Sequence, residues 1–287
     1  MEMQKAGHVL MLATGRPTPG AARFVKELKL DEYGGYLLSY NGGRIMNCKT
    51  KEVMYQKVLP KEVIPKLYAF AKAHKCGIIT YEKDTVILGN GIDQYIEWEA
   101  KLNQLPVKEV DNFVDYITFD VNKCLMTAPP KDAEVYIAML QEEFKDTLSI
   151  YRSEPYFIEI MPKDIDKAAS IDRLLPMIGL KREESVCCGD GYNDISMITY
   201  GGVGVAMANA RDEVKEAALH SGFVEILPDR MTILAEVVEW PGEIDLERAE
   251  AAKRRAEERI KSHTPETDMA RAETALMRAV ARIQVLK

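Results

Sequence analysis

Histidine is scarce in this chain: His8, His74, His220 and His263 are the only four, scattered over 287 residues. That argues against a histidine-built metal site or a histidine-centred triad. The cysteines number five, an odd count, and Cys48, Cys76, Cys124, Cys187 and Cys188 show no Cys-x-x-Cys spacing. A disulfide framework or thiolate metal cage is therefore not expected; reduced core thiols are. No basic excess exists either. The net charge is −7 and the pI about 5.4, which argues against general affinity for nucleic acid. Apolar runs such as residues 9–13 are far too short to span a bilayer, and no apolar stretch of signal-peptide type precedes them. The expectation is a cytoplasmic protein that handles small molecules.

What is present is an ordinary globular composition, 47% hydrophobic and 29% charged, patterned as alternating strands and helices. Residues 9–13 read as a buried parallel strand ending in Thr14-Gly15-Arg16-Pro17, followed by a helix from Pro19. A second strand at 36–40 turns through Asn41-Gly42-Gly43 into a hairpin partner at 44–46. Between about 59 and 161 the pattern becomes α+β. Helices are expected at 61–75, 93–102 and 132–144, and strands at 77–81, 85–88, 123–126, 147–151 and 157–161, a compact two-layer insert. Helix and strand alternation then resumes, with a helix from Asp166 and strands at 186–188 and 202–206. After residue 218 the chain changes to a β-hairpin at 222–237 and two charged, alanine-rich helices at about 245–261 and 267–285. Ala249, Ala252, Ala256 and Ile260 share one face of the first; Ala272, Leu276, Ala279 and Ile283 share one face of the second. The short 262–266 linker makes these an antiparallel helical hairpin.

Three places carry polar chemistry at strand ends or helix starts. Thr14 follows a strand, where its hydroxyl and the following N–H groups can hold a phosphate oxygen; a plain threonine-capped turn explains it equally. Lys167 stands in the first turn of a helix, where a cation opposes the helix dipole; either an anion is held nearby or the lysine is simply solvated. The run Gly189-Asp190-Gly191-Tyr192-Asn193-Asp194 ends a strand with two carboxylates and a carboxamide. That donor set suits a hard cation such as Mg²⁺, and an ordinary turn suits it as well.

Taken together, Leu12-Ala13-Thr14-Gly15-Arg16-Pro17, Ser39-Tyr40-Asn41-Gly42-Gly43, Asp166-Lys167, the 189–194 run and Gly204-Val205-Ala206-Met207-Ala208-Asn209-Ala210 resemble, in order and spacing, the Cof-type sugar-phosphate phosphatases of the haloacid dehalogenase superfamily. The resemblance implies an α/β fold: a Rossmann-like core, discontinuous over 1–58 and 162–218, with an α/β cap at 59–161 that selects the substrate. It implies phosphate binding by Thr14, Gly15, Lys167 and Asn193, a Mg²⁺ cofactor at Asp190 with Asp194 either ligating it too or supporting the loop from behind, and a small phosphorylated sugar or similar phosphate ester as substrate. It also exposes a departure. The family's nucleophile and acid/base are aspartates of an Asp-x-Asp-Gly-Thr motif on a strand before that of Thr14, and the first aspartate here is Asp31. The Rossmann-like core is thus expected to be incomplete and the chain inactive, with the strands at 9–13 and 186–188 left to pair directly, be bridged, or leave backbone unpaired.

Residues 219–287 resemble a different family, the epsilon subunit of the F-type ATP synthase, through the 220–235 and 243–250 segments and Asp268-Met269-Ala270-Arg271-Ala272-Glu273. That implies a β-hairpin and helical hairpin able to meet ATP or rotor subunits, with Asp245, Arg248, Arg278 and Arg282 at the nucleotide positions; surface Arg/Glu pairs account for the same residues. The linkerless join at 214–220 reads as that of a chimeric chain, one that need have no physiological function.

Overall fold

The computed structural model describes residues 2–207, 209–211, 213–214, 245–262, 272, 275, 276, 279, 280 and 283, and the backbone of 223–226 and 231–234. The chain divides into two compact units, Met1–Ile233 and Leu234–Lys287.

In the first unit, helix α1 (Glu2–Lys5) leads to strand β1 (Met11–Ala13). Two short helices, α2 (Ala22–Glu27) and α3 (Leu30–Tyr33), follow a 3-10 turn at Pro19–Ala21. The single helix expected from Pro19 is thus three short pieces, the last set off by Lys29 and ended by Gly34, both in left-handed backbone. Strands β2 (Tyr36–Ser39), β3 (Arg44–Asn47) and β4 (Val53–Gln56) complete a sheet of order β1-β2-β3-β4, with β1 parallel to β2 and the rest antiparallel. The Asn41-Gly42-Gly43 turn does join β2 to β3, pairing Ser39 with Arg44.

The insert forms a six-stranded sheet of order β7-β6-β5-β8-β10-β9. Its strands are β5 (Gly77–Glu82), β6 (Thr85–Asn90), β7 (Val107–Glu109), β8 (Cys124–Thr127), β9 (Leu148–Glu154) and β10 (Phe157–Pro162). Period-two alternation gives it two apolar faces. Ile78, Ile87, Ile158 and Ile160 pack with α4 (Val63–Ala73), α6 (Phe113–Tyr116) and α7 (Pro130–Phe144). Ile79, Tyr81, Leu88, Leu125, Phe157 and Met161 pack with Ile96 and Ala100 of α5 (Gln94–Asn103), and with Tyr40 and Ile165 of the first lobe. The second face is therefore the one applied to the loops beyond β1 and β2. Asp93 starts α5 by accepting from the N–H groups of Tyr95 and Ile96, both at 2.9 Å.

Helix α8 (Lys167–Met177) returns to the first lobe, followed by β11 (Val186–Gly189), α9 (Ile195–Tyr200) and β12 (Val203–Ala206). β11 and β12 pair parallel with each other in a separate two-stranded sheet. Of the outcomes expected for the strands flanking this lobe's centre, direct pairing is not seen. Nor does a described strand bridge them: β1 and β11 are edges of different sheets and meet only through side chains, Cys187 sharing a core with Leu174 and Leu175 of α8, against which Met11 and Ala13 also pack. β13 (Phe223–Ile226) and β14 (Met231–Leu234) pair with each other, and the turn between them lies outside the described residues.

In the second unit, α10 (Leu246–Ser262) is the expected first helix, with Ala249 and Ala256 buried. Of the second expected helix, residues 272, 275, 276, 279, 280 and 283 are helical, with Ala272 and Ala279 buried. The linker, and with it the antiparallel arrangement, lies outside the described residues, as does most of the 214–220 join.

Candidate phosphate site between the two lobes

The loop after β1 is tied to the turn after β2. Thr14 donates its N–H to the Leu38 carbonyl, and its own carbonyl accepts from the Asn41 N–H, both at 2.9 Å. Its hydroxyl accepts from the Arg16 N–H at 3.2 Å. Thr14 thus caps its own turn, as one of the two expectations had it, and the hydroxyl's donor stays available.

Asn41 is the hub of the arrangement. It sits in left-handed backbone at φ 53°, a conformation asparagine tolerates better than most residues. Its side-chain amide donates to the Tyr151 hydroxyl on β9 at 2.7 Å. Its Oδ1 accepts from the Asn193 amide at 2.9 Å. A Cβ added at Gly15 would stand 3.0 Å from that same oxygen, so the backbone of the 14–16 loop passes tightly beside it. Through one side chain the 14–16 loop, the 190–194 loop and the insert's sheet are brought together.

Helix α8 is pressed against the same turn. Ser170 donates its hydroxyl to the Gly42 carbonyl at 2.8 Å. Asp166 caps α8 by accepting from the Ala169 N–H at 2.8 Å. Lys167, the next residue, is only 4% exposed, so it is not the solvated surface lysine that its sequence position allowed. Its Nζ pairs with Asp194 Oδ1 at 2.5 Å. That is its one recorded partner, so two of the ammonium's three donors remain.

Asp194 is equally buried, at 5% exposed. Its second oxygen accepts from the N–H groups of Asp190 and Gly191, both at 3.0 Å, and so folds the turn after β11. Both oxygens are therefore occupied. Of the two roles open to Asp194, support of the loop is the one its contacts perform. Asp190 is exposed and takes the Asn209 amide on Oδ2 at 2.9 Å, leaving Oδ1 open. Among the described residues, no group of three or more His, Cys, Asp or Glu side chains gathers as a metal cage. The donor set on offer is one carboxylate, which fits a Mg²⁺ ion completed by substrate oxygens and water rather than a protein-enclosed ion.

From the insert, Lys123 reaches the Gly15 carbonyl at 3.2 Å and Glu159 on β10 at 3.0 Å. Arg16 donates to the Leu102 carbonyl at 2.9 Å and Asn103 Oδ1 at 3.3 Å, at the end of α5. Asn103 in turn donates to Glu99, which also accepts from Tyr81 at 2.6 Å. Burial pushes the Tyr81 phenol well above its ordinary range, and the Glu99 carboxylate beside it adds to the shift. The insert is therefore held on the 14–16 loop at two polar points.

The profile of the haloacid dehalogenase-like hydrolases matches residues 1–222. This chain belongs to the haloacid dehalogenase-like hydrolases. The Bacillus subtilis (strain 168) protein YxeH is 30% identical over 215 residues, covering 74% of this chain and 79% of that one. A haloacid dehalogenase-like hydrolase from Bacteroides thetaiotaomicron superposes with a TM-score of 0.73 at 44% identity, over 76% of this chain and 82% of that one. The HAD subclass IIB sugar phosphatase BT4131 superposes at 0.64 and 25% identity, over 76% of this chain and 81% of that one. The candidate site is thus formed by the loops after β1, β2 and β11 and the first turn of α8.

Residues 243–287 match a second profile, the long α-helix domain of the ATP synthase delta/epsilon chain. The ATP synthase epsilon chain of Bacillus licheniformis is 53% identical over 70 residues, and this chain spans only 53% of that protein's length. Of the nucleotide positions expected there, Asp245 accepts from the Arg248 N–H at 3.0 Å, as a helix cap does, and Arg248 is exposed. Arg278 and Arg282 lie outside the described residues.

Sequence reasoning assigned no role to Asn41, Lys123, Tyr151 or Glu159. Two left a visible signal. Glu159 is the one charge inside the apolar run 157–161, and Lys123 heads the apolar run 124–126. A charge at an inward strand position is the kind of exception that asks for a partner.

Proposed function

We propose that the first unit binds the phosphoryl group of a small phosphate ester of the sugar-phosphate type, with Mg²⁺ as cofactor. Lys167, the Thr14 hydroxyl, Gly15 and Asn193 would surround the phosphoryl oxygens, and Asp190 would hold the cation. The observation that carries this reading is Lys167: a buried ammonium with one carboxylate partner and two unused donors, beside the loop that ends in Asp190 and Asn193. A bound Mg²⁺ would offset charge on the phosphoryl oxygens; Lys167 would do so from the protein side. The likeness to BT4131, a sugar phosphatase, supports the substrate class.

We further propose that the residues of this chain do not carry a covalent aspartyl-phosphate step. The carboxylate set against Lys167, that of Asp194, is buried with both oxygens engaged, one by the ammonium and the other by two backbone N–H groups. Loss of one member of a covalent mechanism costs several orders of magnitude in rate.

The test is calorimetric titration of the full chain with inorganic phosphate in the presence of Mg²⁺, beside an assay with p-nitrophenyl phosphate. Phosphate binding that is lost in Lys167→Ala, without turnover, is expected. Absence of binding by the native chain sinks the phosphate site. Turnover abolished by Asp190→Ala overturns the inactivity.

A further inference from the structure

The insert carries a charged pair where its packing calls for apolar side chains. Lys123 is 2% exposed and Glu159 is 7% exposed. Glu159 lies on β10 between Phe157 and Met161, on the face shared with Tyr81 and Leu125. Burying two charges there is costly, and an apolar pair of similar volume usually serves stability as well or better. The pair is also unfinished. Lys123 Nζ donates to the Gly15 carbonyl, stands 3.0 Å from Glu159 Oε2 as an ion pair, and lies 5.6 Å from the centre of the Tyr81 ring, so its donors are not all taken up by hydrogen bonds. Glu159 Oε2 is buried with the ion pair alone and no hydrogen bond.

What surrounds the pair gives it a direction. Gly15 belongs to the loop assigned above to the phosphoryl group. Tyr151 is the cross-strand neighbour of Glu159, and its hydroxyl takes the amide of Asn41, which lies against Gly15. Lys123, Glu159 and Tyr151 therefore stand on the insert's side of the phosphate loop, where the alcohol part of a phosphate ester must lie.

We propose that Lys123 and Glu159 form the subsite for the alcohol portion of the ester and determine specificity for a neutral, hydroxyl-bearing one. This rests on the phosphate reading given above. Lys123 donates to an oxygen of the alcohol portion, and Glu159 accepts from one of its hydroxyls. Because the pair is neutral as a unit, it gives no net attraction to a second acidic group, and the Glu159 carboxylate repels one. A phosphate ester with a carboxylate beside the ester carbon is therefore disfavoured relative to a polyol of the same size.

The test is calorimetric titration of the full chain with Mg²⁺ and three probes: methyl phosphate, ribose 5-phosphate and 3-phosphoglycerate. A hydrogen bond to a charged group corresponds to about tenfold or more in affinity. Native protein is thus expected to hold ribose 5-phosphate about tenfold tighter than methyl phosphate. Glu159→Gln should reduce that ratio to under about threefold and should improve 3-phosphoglycerate relative to ribose 5-phosphate. The double variant Lys123→Met/Glu159→Leu removes both charges together and should melt no lower than native protein. It too should lose the preference for ribose 5-phosphate. If either folded variant keeps the native ratio, or native protein shows no such ratio, the subsite assignment is wrong while the phosphate site stands. If methyl phosphate and inorganic phosphate both fail to bind, the phosphate reading falls and this inference falls with it.

Discussion

Lys167 Nζ and Asp194 Oδ1 meet 2.5 Å apart, with both residues almost wholly buried. The pair ties the first turn of α8 to the loop after β11, because the other Asp194 oxygen holds the Asp190 and Gly191 N–H groups. A contact of this kind is more costly to halve than to remove. Lys167→Ala should destabilise the first unit by about 3–5 kcal/mol, since it strands a buried carboxylate. The double variant Lys167→Met/Asp194→Leu should lose less than the sum of the two single variants, read by urea denaturation as a double-mutant cycle. Additive losses would show that the two side chains do not act as a pair.

Gly42 gives a second, sharper prediction. Its φ is +95°, and a Cβ there would lie 1.9 Å from Ser170 Oγ and 2.9 Å from the Asp166 carbonyl. The strain of the left-handed backbone and the collision with α8 act together. Gly42→Ala should cost about 2 kcal/mol or more. Because Asn41 is the adjacent residue, the same variant should weaken phosphate binding. Calorimetry alongside thermal melting checks both; an unchanged melting temperature refutes the close approach.

The sequence made these two sites unequally legible. Lys167, Asp190 and Asp194 stand out because each is a charged residue at a helix start or strand end, where periodic apolar patterning stops. What joined them in a common site was the resemblance of their motifs, in order and spacing, to the haloacid dehalogenase family. Which carboxylate oxygen faces which donor was not legible, because it depends on how α8 and the loop after β11 are turned toward each other. Asn41 was visible only as turn chemistry, since the residues it joins, Gly15, Tyr151 and Asn193, are far apart in sequence. The separation of β1 from β11 was open for the same reason: pairing between distant strands is set by what packs between them, here α8. Short elements such as β4, β7 and α6 lacked a long enough period to read, and they are held by neighbours rather than by their own pattern.

The cysteines allow a chemical prediction. Cys48, Cys76, Cys124 and Cys187 are buried and Cys188 is exposed. Burial pushes the thiols of Cys48, Cys76 and Cys187 up to about 11 and that of Cys124 up to about 12. Labelling of native protein with a thiol reagent at neutral pH should modify Cys188 alone. The raised values also set the pH dependence. An unfolded thiol titrates near 9, so the unfolded chain loses these protons first as the solution becomes alkaline. The stabilisation is complete below pH about 9 and is lost as pH rises toward 11 to 12. Denaturation midpoints measured from pH 8 to 11 should fall, and a flat profile would refute the burial of the four thiols.

The second unit offers a test of helix packing that does not depend on any ligand. Ala249 and Ala256 on α10 are buried seven residues apart, and Ala272 and Ala279, also buried, repeat that interval. A seven-residue repeat keeps one face of a helix turned to the same neighbour, and alanine at that face permits close approach. The rest of α10 is strongly charged, so these small side chains are the contact surface rather than a propensity effect. Ala256→Leu should therefore overpack the face and cost about 1–3 kcal/mol. Ala252→Leu, at a half-buried position on the same helix, should cost less. Circular dichroism melts of the full chain, resolving a helical transition, separate the two variants. If Ala256→Leu raises the helical melting temperature instead, the alanine face is a solvated surface and not a packed one.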